Sequence, residues 1–401
     1  MKKIPATQLR VGMFVVDAGL SWMDYPYLYQ EEGEIESQER IDAILAEGFE
    51  EIFVDPSRGS YAGLEDEEPL EESLLQDADD LARIPSRKVS FKEEMGRARR
   101  LYTDSLQFAR EFLHGARMGY LVDYSKSEKL VESVIDSVMR NDDAIVSLTK
   151  LRDFDEYSYT HSINVAVLAV AFGKNLGLSH KMLRALGSAG IFHDLGKAKI
   201  PEAILNKPGK LTEEEFEIMK SHPQKGFELL AQQGGAGEDV LLGVLQHHEK
   251  HNGRGYPDAA SGDEVSVLAR IIAVADVYDA LTSERVYKKG MLPYKALSLM
   301  YTMRGEDFHT GYVERFIKSM GIYPVGSFVR LSSREYAVVS GSNISVPLYP
   351  QVIVVLDYMQ RPCTPRQVDL AENRGDSSHV LEIIECLNPK RYNIDPAAYL
   401  M

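Results

Sequence analysis

The sequence predicts a mainly helical protein: an all-α central domain, a small α/β unit before it and a small β-rich extension after it. Three observations predict this. From Phe91 to about Ser319, apolar residues recur at helical spacing and capping residues stand at the breaks. Before residue 57, short β-prone runs flank a single helix-like stretch. After Gly321, the pattern changes to alternating or continuous apolar runs of strand length.

The elements follow in order. In residues 1–56, Val11 to Val16 reads as a strand. Ser37 to Ala46 reads as a helix with Ile41, Ile44 and Leu45 on one face, and Glu51 to Val54 as a second strand ended by Asp55-Pro56. Residues 57–90 read as an acidic linker: Glu65 to Asp80 holds nine acidic residues in sixteen, a run that repels itself and buries little. Within 91–148, Phe91–Ala116 and Ser127–Leu148 form two long amphipathic connecting helices. Residues 149–320 hold shorter helices and the chemistry. In 321–401, Ser327–Leu331, Glu335–Val339 and Gln351–Leu356 read as strands, and the tail past about 365 carries no assignment.

Composition bounds the function. Among 401 residues, 45 are Lys or Arg and 61 are Asp or Glu, a formal charge of −16. This excludes bulk binding to DNA, RNA or anionic membrane, which rewards clustered cations, and leaves room for a small phosphorylated ligand in one local basic pocket. Two cysteines, Cys363 and Cys386, have 22 residues between them and no CxxC, as expected of a reduced cytoplasmic chain. The best apolar run, Val165 to Phe172, has 8 residues against the roughly 18 that span a bilayer. No targeting segment is expected, since Asp17 interrupts the short apolar stretch behind Lys2 and Lys3.

Five of the ten histidines stand out together with two aspartates: His161, the pair His193-Asp194, His222, the pair His247-His248, and Asp276 in the apolar run Ile271 to Asp276. Imidazole and carboxylate together suit first-row metals, and a carboxylate can bridge two of them. Neighbouring helical residues point about 100° apart, so an adjacent pair converges best at a helix end. Gly196 is expected to cap the helix that begins near Ser179. His222 precedes Pro223, a favoured first helical residue, and Thr212 to Glu215 forms a capping box for the helix before it. A lone carboxylate such as Asp276 is costly in so apolar a run, and a metal would be its partner. His114, His180, His251, His309 and His379 are read as structural.

At this point the residues resemble a family. His193-Asp-Leu-Gly-Lys197 followed by Ile200-Pro201 resembles the signature of HD-type metal phosphohydrolases. His247-His-Glu249 with Gly253-Arg-Gly-Tyr-Pro257 resembles the HD-GYP subfamily, and Arg270 to Ser283 with Arg285 and Lys288 continues the match. The resemblance covers about 150–320. The N-terminal unit is similar to a small domain of unknown function often found ahead of HD-GYP domains in bacteria.

The resemblance implies an all-α catalytic fold and phosphodiesterase activity on cyclic di-GMP. It implies that His161, His193, Asp194 and Asp276 hold one divalent metal, and that Asp194, as bridge, holds a second with His222, His247 and His248. Iron or manganese is the expected metal, with nickel, zinc or magnesium as further candidates. Some family members take a third metal through a Glu four residues before the first histidine. That position is Tyr157 here, so two metals are expected. Lys197 would sit by the scissile phosphate, making it and Asp194 the catalytic residues. Asp155, Tyr256, Arg285 and Lys288, with Lys197, would contact the substrate.

The reaction so implied is attack of a metal-bridging hydroxide on phosphorus, giving pGpG and then GMP. Two alternatives stay open. One is a cyclic di-GMP receptor with weak or no turnover, and the other is a hydrolase of another cyclic dinucleotide. A homodimer, or a regulatory protein bound through the N-terminal unit, is the further expectation for partners.

Overall fold

The computed structural model describes residues 1–20, 25, 27–61, 87–120, 124–150, 157–207, 209, 211–283, 290–343, 346–372 and 381–400. The acidic run from Glu65 to Asp80 and the expected ligand contacts Asp155, Arg285 and Lys288 lie outside the described residues, as does the side chain of Tyr157.

The first unit comprises β1 (Lys2–Pro5), β2 (Phe14–Val15), β3 (Leu28–Tyr29), β4 (Gly33–Glu34), α1 (Gln38–Ala46) and β5 (Glu51–Val54). The sheet runs β1-β5-β2-β4, all antiparallel, with β3 added parallel to β5. Ser37 caps α1 by accepting from the Arg40 amide, and Ile41 and Ile44 face Ile4, Val15, Ile52 and Val54 in a core of the unit's own. The strand expected over Val11 to Val16 shortens to two residues, because Gly12 takes φ +90 in a turn.

Two long helices, α2 (Phe91–Arg117) and α3 (Tyr124–Leu148), lead into the central domain. A complete capping box, Ser90 with Glu93, starts α2. Buried Glu94 of α2 accepts from Ser137 Oγ at 2.8 Å and from Arg140 Nε at 2.7 Å. The next residue, Asn141, leaves helical geometry, and its amide donates to the Val89 carbonyl at 3.0 Å.

The central bundle follows: α4 (Tyr157–Asn175), α5 (His180–Phe192), a 3₁₀ turn (Leu195–Lys199), α6 (Glu202–Leu205), α7 (Glu213–Lys220), α8 (His222–Gln233), α9 (Glu238–Leu245), α10 (Val267–Thr282), α11 (Pro293–Thr302) and α12 (Tyr312–Met320). Every side chain from Val165 to Phe172 is buried, which makes α4 the bundle's central helix. Full burial of each large apolar side chain contributes about 1.5–3 kcal/mol. α5 and α10 pack against α4, and the ends of α5, α7 and α9 meet at one side of it.

The extension is an antiparallel sheet in the order β10-β6-β7-β8-β9, formed by β6 (Phe328–Leu331), β7 (Tyr336–Gly341), β8 (Gln351–Leu356), β9 (Pro362–Asp369) and β10 (Ile383–Leu387), with α13 (Ala397–Leu400) after it. Separate apolar clusters cover its two faces, so central β7 is buried throughout. β9 and β10, in the tail without an assignment, are its outer strands. The polar, proline-bearing sequence of β9 suits an edge and carries little strand signal, and β10 is a run of only five residues. Among the described residues no helix is long and apolar enough to cross a membrane. Cys363 and Cys386 are both free thiols.

Candidate metal centre

The seven side chains expected as metal ligands converge. His161 projects from α4 and Asp276 from α10. His193-Asp194 follows the last residue of α5, His222 opens α8 two residues after the end of α7, and His247-His248 lies just past α9. Asp194 stands in the middle and its two oxygens face different groups. Oδ2 lies 3.7 Å from His161 Nε2 and 3.5 Å from His193 Nε2. Oδ1 lies 3.4 Å from His222 Nε2 and 3.9 Å from His247 Nε2. Asp276 Oδ1 closes the first group at 3.1 Å from His161 Nε2. His248 joins the second, its ring 4.2 Å from that of His247 and 5.0 Å from that of His222. Two compact clusters result, His161/His193/Asp276 and Asp194/His222/His247/His248.

The donor set fits divalent metals. His193 Nδ1 meets the Gly190 carbonyl at 2.8 Å, His222 Nδ1 the Met219 carbonyl at 2.8 Å, and His247 Nδ1 the Val244 carbonyl at 2.7 Å. Each Nδ1 therefore keeps its proton, and each Nε2 offers a lone pair to the centre. In the first cluster His193 Nε2 lies 3.3 Å from His161 Nε2, and in the second two such lone-pair nitrogens, of His222 and His247, stand 3.3 Å apart. Lone pairs aimed at one another call for a cation between them.

Protonation follows the same logic. Burial lowers the pKa of His193, and burial with adjacent imidazoles holds His247 and His248 well below the usual histidine range. Burial works against the Asp194 carboxylate, but Lys197 and the imidazoles outweigh it and hold its pKa well below normal. Asp276 is lowered too, burial being outweighed by its bond to His161. His161 is the exception. Burial disfavours its imidazolium, but Asp276 and Asp279 overcome that and raise its pKa to about 10. A metal held by His161 would displace this proton.

Asp279 is the residue the sequence reading missed. Its Oδ2 accepts from His161 Nδ1 at 2.8 Å, and its Oδ1 accepts from Asn164 Nδ2 at 2.8 Å. Tyr102 in turn hydrogen-bonds the Asn164 side chain. Helical spacing carried the signal: Asp279 lies three residues after Asp276 and Asn164 three after His161, each on the face of its ligand.

Gly196 does not cap α5. His193 takes that place, and Gly196 lies inside the 3₁₀ turn. A Cβ there would stand 1.9 Å from the His222 carbonyl oxygen and 2.5 Å from the Gly226 amide. Glycine is required because α8 starts against this turn, which brings His222 to Asp194. Gly255 plays a similar part in the Gly-Tyr-Pro loop, since a Cβ would meet the Lys250 amide at 2.4 Å. That approach stacks Tyr256 on His248, with centroids 4.7 Å apart and planes at 28°. Glu249 fixes the loop by accepting from the Asp258 amide at 2.7 Å. Lys197 Nζ lies 2.7 Å from Asp194 Oδ2.

A helical bundle that gathers five histidines and two aspartates around a His-Asp pair at a helix end defines an HD domain. The HD domain model matches residues 139–310, and the model of a domain of unknown function, DUF3391, matches residues 1–127. The chain is 36% identical over 381 residues to the cyclic di-GMP phosphodiesterase PA4108 of Pseudomonas aeruginosa, covering 95% of this chain and 91% of that one. It is 43% identical over 148 residues to the cyclic di-GMP phosphodiesterase response regulator RpfG of Xanthomonas campestris, covering 36% of this chain and 39% of the relative. It is 37% identical over 163 residues to the 3′3′-cGAMP-specific phosphodiesterase 3 of Vibrio cholerae, covering 38% and 32%. The chain belongs to the HD-GYP family of HD-domain proteins.

Proposed function

We propose that the chain is a metal-dependent phosphodiesterase that hydrolyses cyclic di-GMP to pGpG and onward to GMP. The observation that carries this is the division of Asp194, one oxygen toward His161, His193 and Asp276 and the other toward His222, His247 and His248. In this reading the first three residues with Asp194 hold one divalent ion, and Asp194 with the last three holds another, iron or manganese being the best match to the donors. Ions bound there supply Lewis acidity toward the phosphodiester and a water nucleophile at neutral pH.

The protein's own groups do the rest. Carbonyl-bound Nδ1 atoms fix the imidazole tautomers, so the ligands meet the ions without rearrangement. Lys197 adds a point charge that offsets the charge developing on the phosphate oxygens. Tyr256 offers a ring to a guanine base, while Asp155, Arg285 and Lys288 complete the contacts. Water adds across the P–O3′ bond: its oxygen goes to phosphorus, the ribose 3′ oxygen leaves with a proton, and the phosphate stays on the 5′ oxygen. We assign this chemistry to residues 149–320 and to the reduced cytoplasm, where two free cysteines are at home.

Protein reconstituted anaerobically with Fe(II) or Mn(II) is to be incubated with cyclic di-GMP and with 3′3′-cGAMP, and products followed by chromatography beside Asp194→Ala. The parent is expected to form pGpG and GMP with about two metals bound, and the variant to lose activity together with metal. Nucleotide binding without product under either metal makes the protein a receptor. Faster cleavage of the mixed dinucleotide reassigns the substrate.

A further inference from the structure

The first unit does not merely precede the catalytic domain. Its sheet has a core of its own, but Ala18, Leu20, Tyr25, Leu28 and Phe53 belong instead to the apolar cluster of the helical bundle. Ionic contacts hold it there. The buried Lys3 ammonium of β1 bridges Glu51 at 2.8 Å and Asp307 at 2.6 Å, and Asp307 also meets Lys250 at 2.7 Å. Lys250 is two residues past His248, so the ties end on the segment that carries two metal ligands. Arg254, inside the Gly-Tyr-Pro loop, lies 3.6 Å from Glu51. Aromatic edges run the same way, from Tyr27 to Phe216 and from Phe216 to Tyr256.

Between the two units lies a small, partly open cavity. Its lining joins His247, His248, Asp276 and Tyr256 of the catalytic domain to Leu20 and Tyr25 of the first unit. Its lining, apolar and aromatic groups with a few polar ones, is of the kind that small-molecule sites carry. Two tyrosines in one lining, with the Lys250 ammonium 4.3 Å from the Tyr25 ring centroid, suit the flat, electron-rich face of a purine.

We infer that the N-terminal unit forms part of the substrate site and that Tyr25 is a substrate-contacting residue setting affinity for the purine of a cyclic dinucleotide. The inference rests on the phosphodiesterase reading for the identity of the ligand. Lys3 is then a positioning residue that holds the wall in place from outside the cavity.

The test compares the full-length, metal-loaded parent with Tyr25→Ala, Tyr25→Phe and Lys3→Met, counting metal in each. Binding of a cleavage-resistant phosphorothioate analogue of cyclic di-GMP is measured by calorimetry, and hydrolysis of bis(p-nitrophenyl) phosphate serves as a probe too small to need Tyr25. Tyr25→Ala and Lys3→Met are expected to weaken analogue binding ten-fold or more. Tyr25→Phe is expected to stay within about three-fold, and all four proteins to keep equal metal and chromogenic rates within two-fold. Unchanged binding in Tyr25→Ala overturns the inference. So does tighter binding, which would make the unit an obstruction, or a parallel loss of metal and of both activities, which would make Tyr25 a residue of the core alone. If the parent binds the analogue but cleaves no cyclic dinucleotide, the phosphodiesterase reading fails while the Tyr25 comparison still stands on binding. If the parent binds no analogue, both fall.

Discussion

Replacing Asp279 by Asn tests the metal centre without touching a ligand. The aspartate is buried and ties two donors, His161 Nδ1 and Asn164 Nδ2, each at 2.8 Å. An amide has the same shape but one acceptor oxygen. It satisfies one of the two donors, and its own N–H then faces the other. His161 escapes this clash by moving its proton to Nε2, which removes the lone pair that faces Asp276 and Asp194. A hydrogen bond to a charged group contributes about 1.5–3 kcal/mol net, against about 1 for a neutral one. Loss of such a supporting partner costs 10–100-fold in metal affinity, or about 1.4–2.8 kcal/mol.

The expectation is therefore asymmetric: of two bound metals, one weakens 10–100-fold in Asp279→Asn and the other stays within about three-fold. Competitive titration against chelators of graded affinity, with metal counted in each fraction, reads both sites. Equal retention of both metals would refute the reasoning, and so would equal loss of both.

Three further outcomes are expected. Because the His161 proton is held up to about 10, metal entering that site must displace it. Affinity at this site therefore rises with pH from about 7 to about 10, by up to ten-fold per unit, and calorimetry in buffers of different ionisation enthalpy should show about one proton released per metal. Gly196→Ala places a Cβ 1.9 Å from the His222 carbonyl oxygen, which only backbone movement relieves. A loss of about 3 kcal/mol or more by urea unfolding, with the His222 metal lost first, is expected. Glu94→Ala leaves Arg140 and Ser137 of α3 without their buried partner. It should cost about 1–3 kcal/mol in the same assay while metal per folded chain is unchanged.

The fold was legible where periodicity was strong and hidden where it was weak. Helices α2, α3 and α5 carry capping serines or long apolar stripes, and strands β5, β6 and β8 are continuous apolar runs, so each stands within a few residues of its expected position. β3 and β4 are two residues long, and β9 is a polar edge strand, so neither length nor alternation marks them. In the site, the ligands were visible because adjacent His-Asp and His-His pairs are unusual at helix ends. Asp279 was not, because a carboxylate in a helix has many ordinary uses and its partner lies 118 residues away in sequence. The contact between the N-terminal unit and the catalytic segment was hidden for the same reason. Lys3 and Asp307 are unremarkable alone, and only the fold brings them to 2.6 Å.

The need for Asp279 follows from where His161 sits. The last carbonyls of a helix have no amide within the helix to meet. His193, His222 and His247 each stand one or two residues past a helix end and donate Nδ1–H to the carbonyl three residues back, on the last turns of α5, α7 and α9. One bond thus caps a helix and fixes a tautomer, and no side-chain substitution elsewhere removes that acceptor. His161 lies inside α4, where main-chain carbonyls are engaged by the helix itself, so its Nδ1 proton needs an acceptor from another element. α10, which already supplies Asp276, supplies it one turn later as Asp279. Of His161, His193, His222 and His247, three are held by helix ends and His161 by a buried carboxylate whose own second oxygen is tied to α4 through Asn164. The first metal position is therefore the one that a conservative change at Asp279 can weaken, whereas His222 and His247 of the second are held by the backbone that builds it.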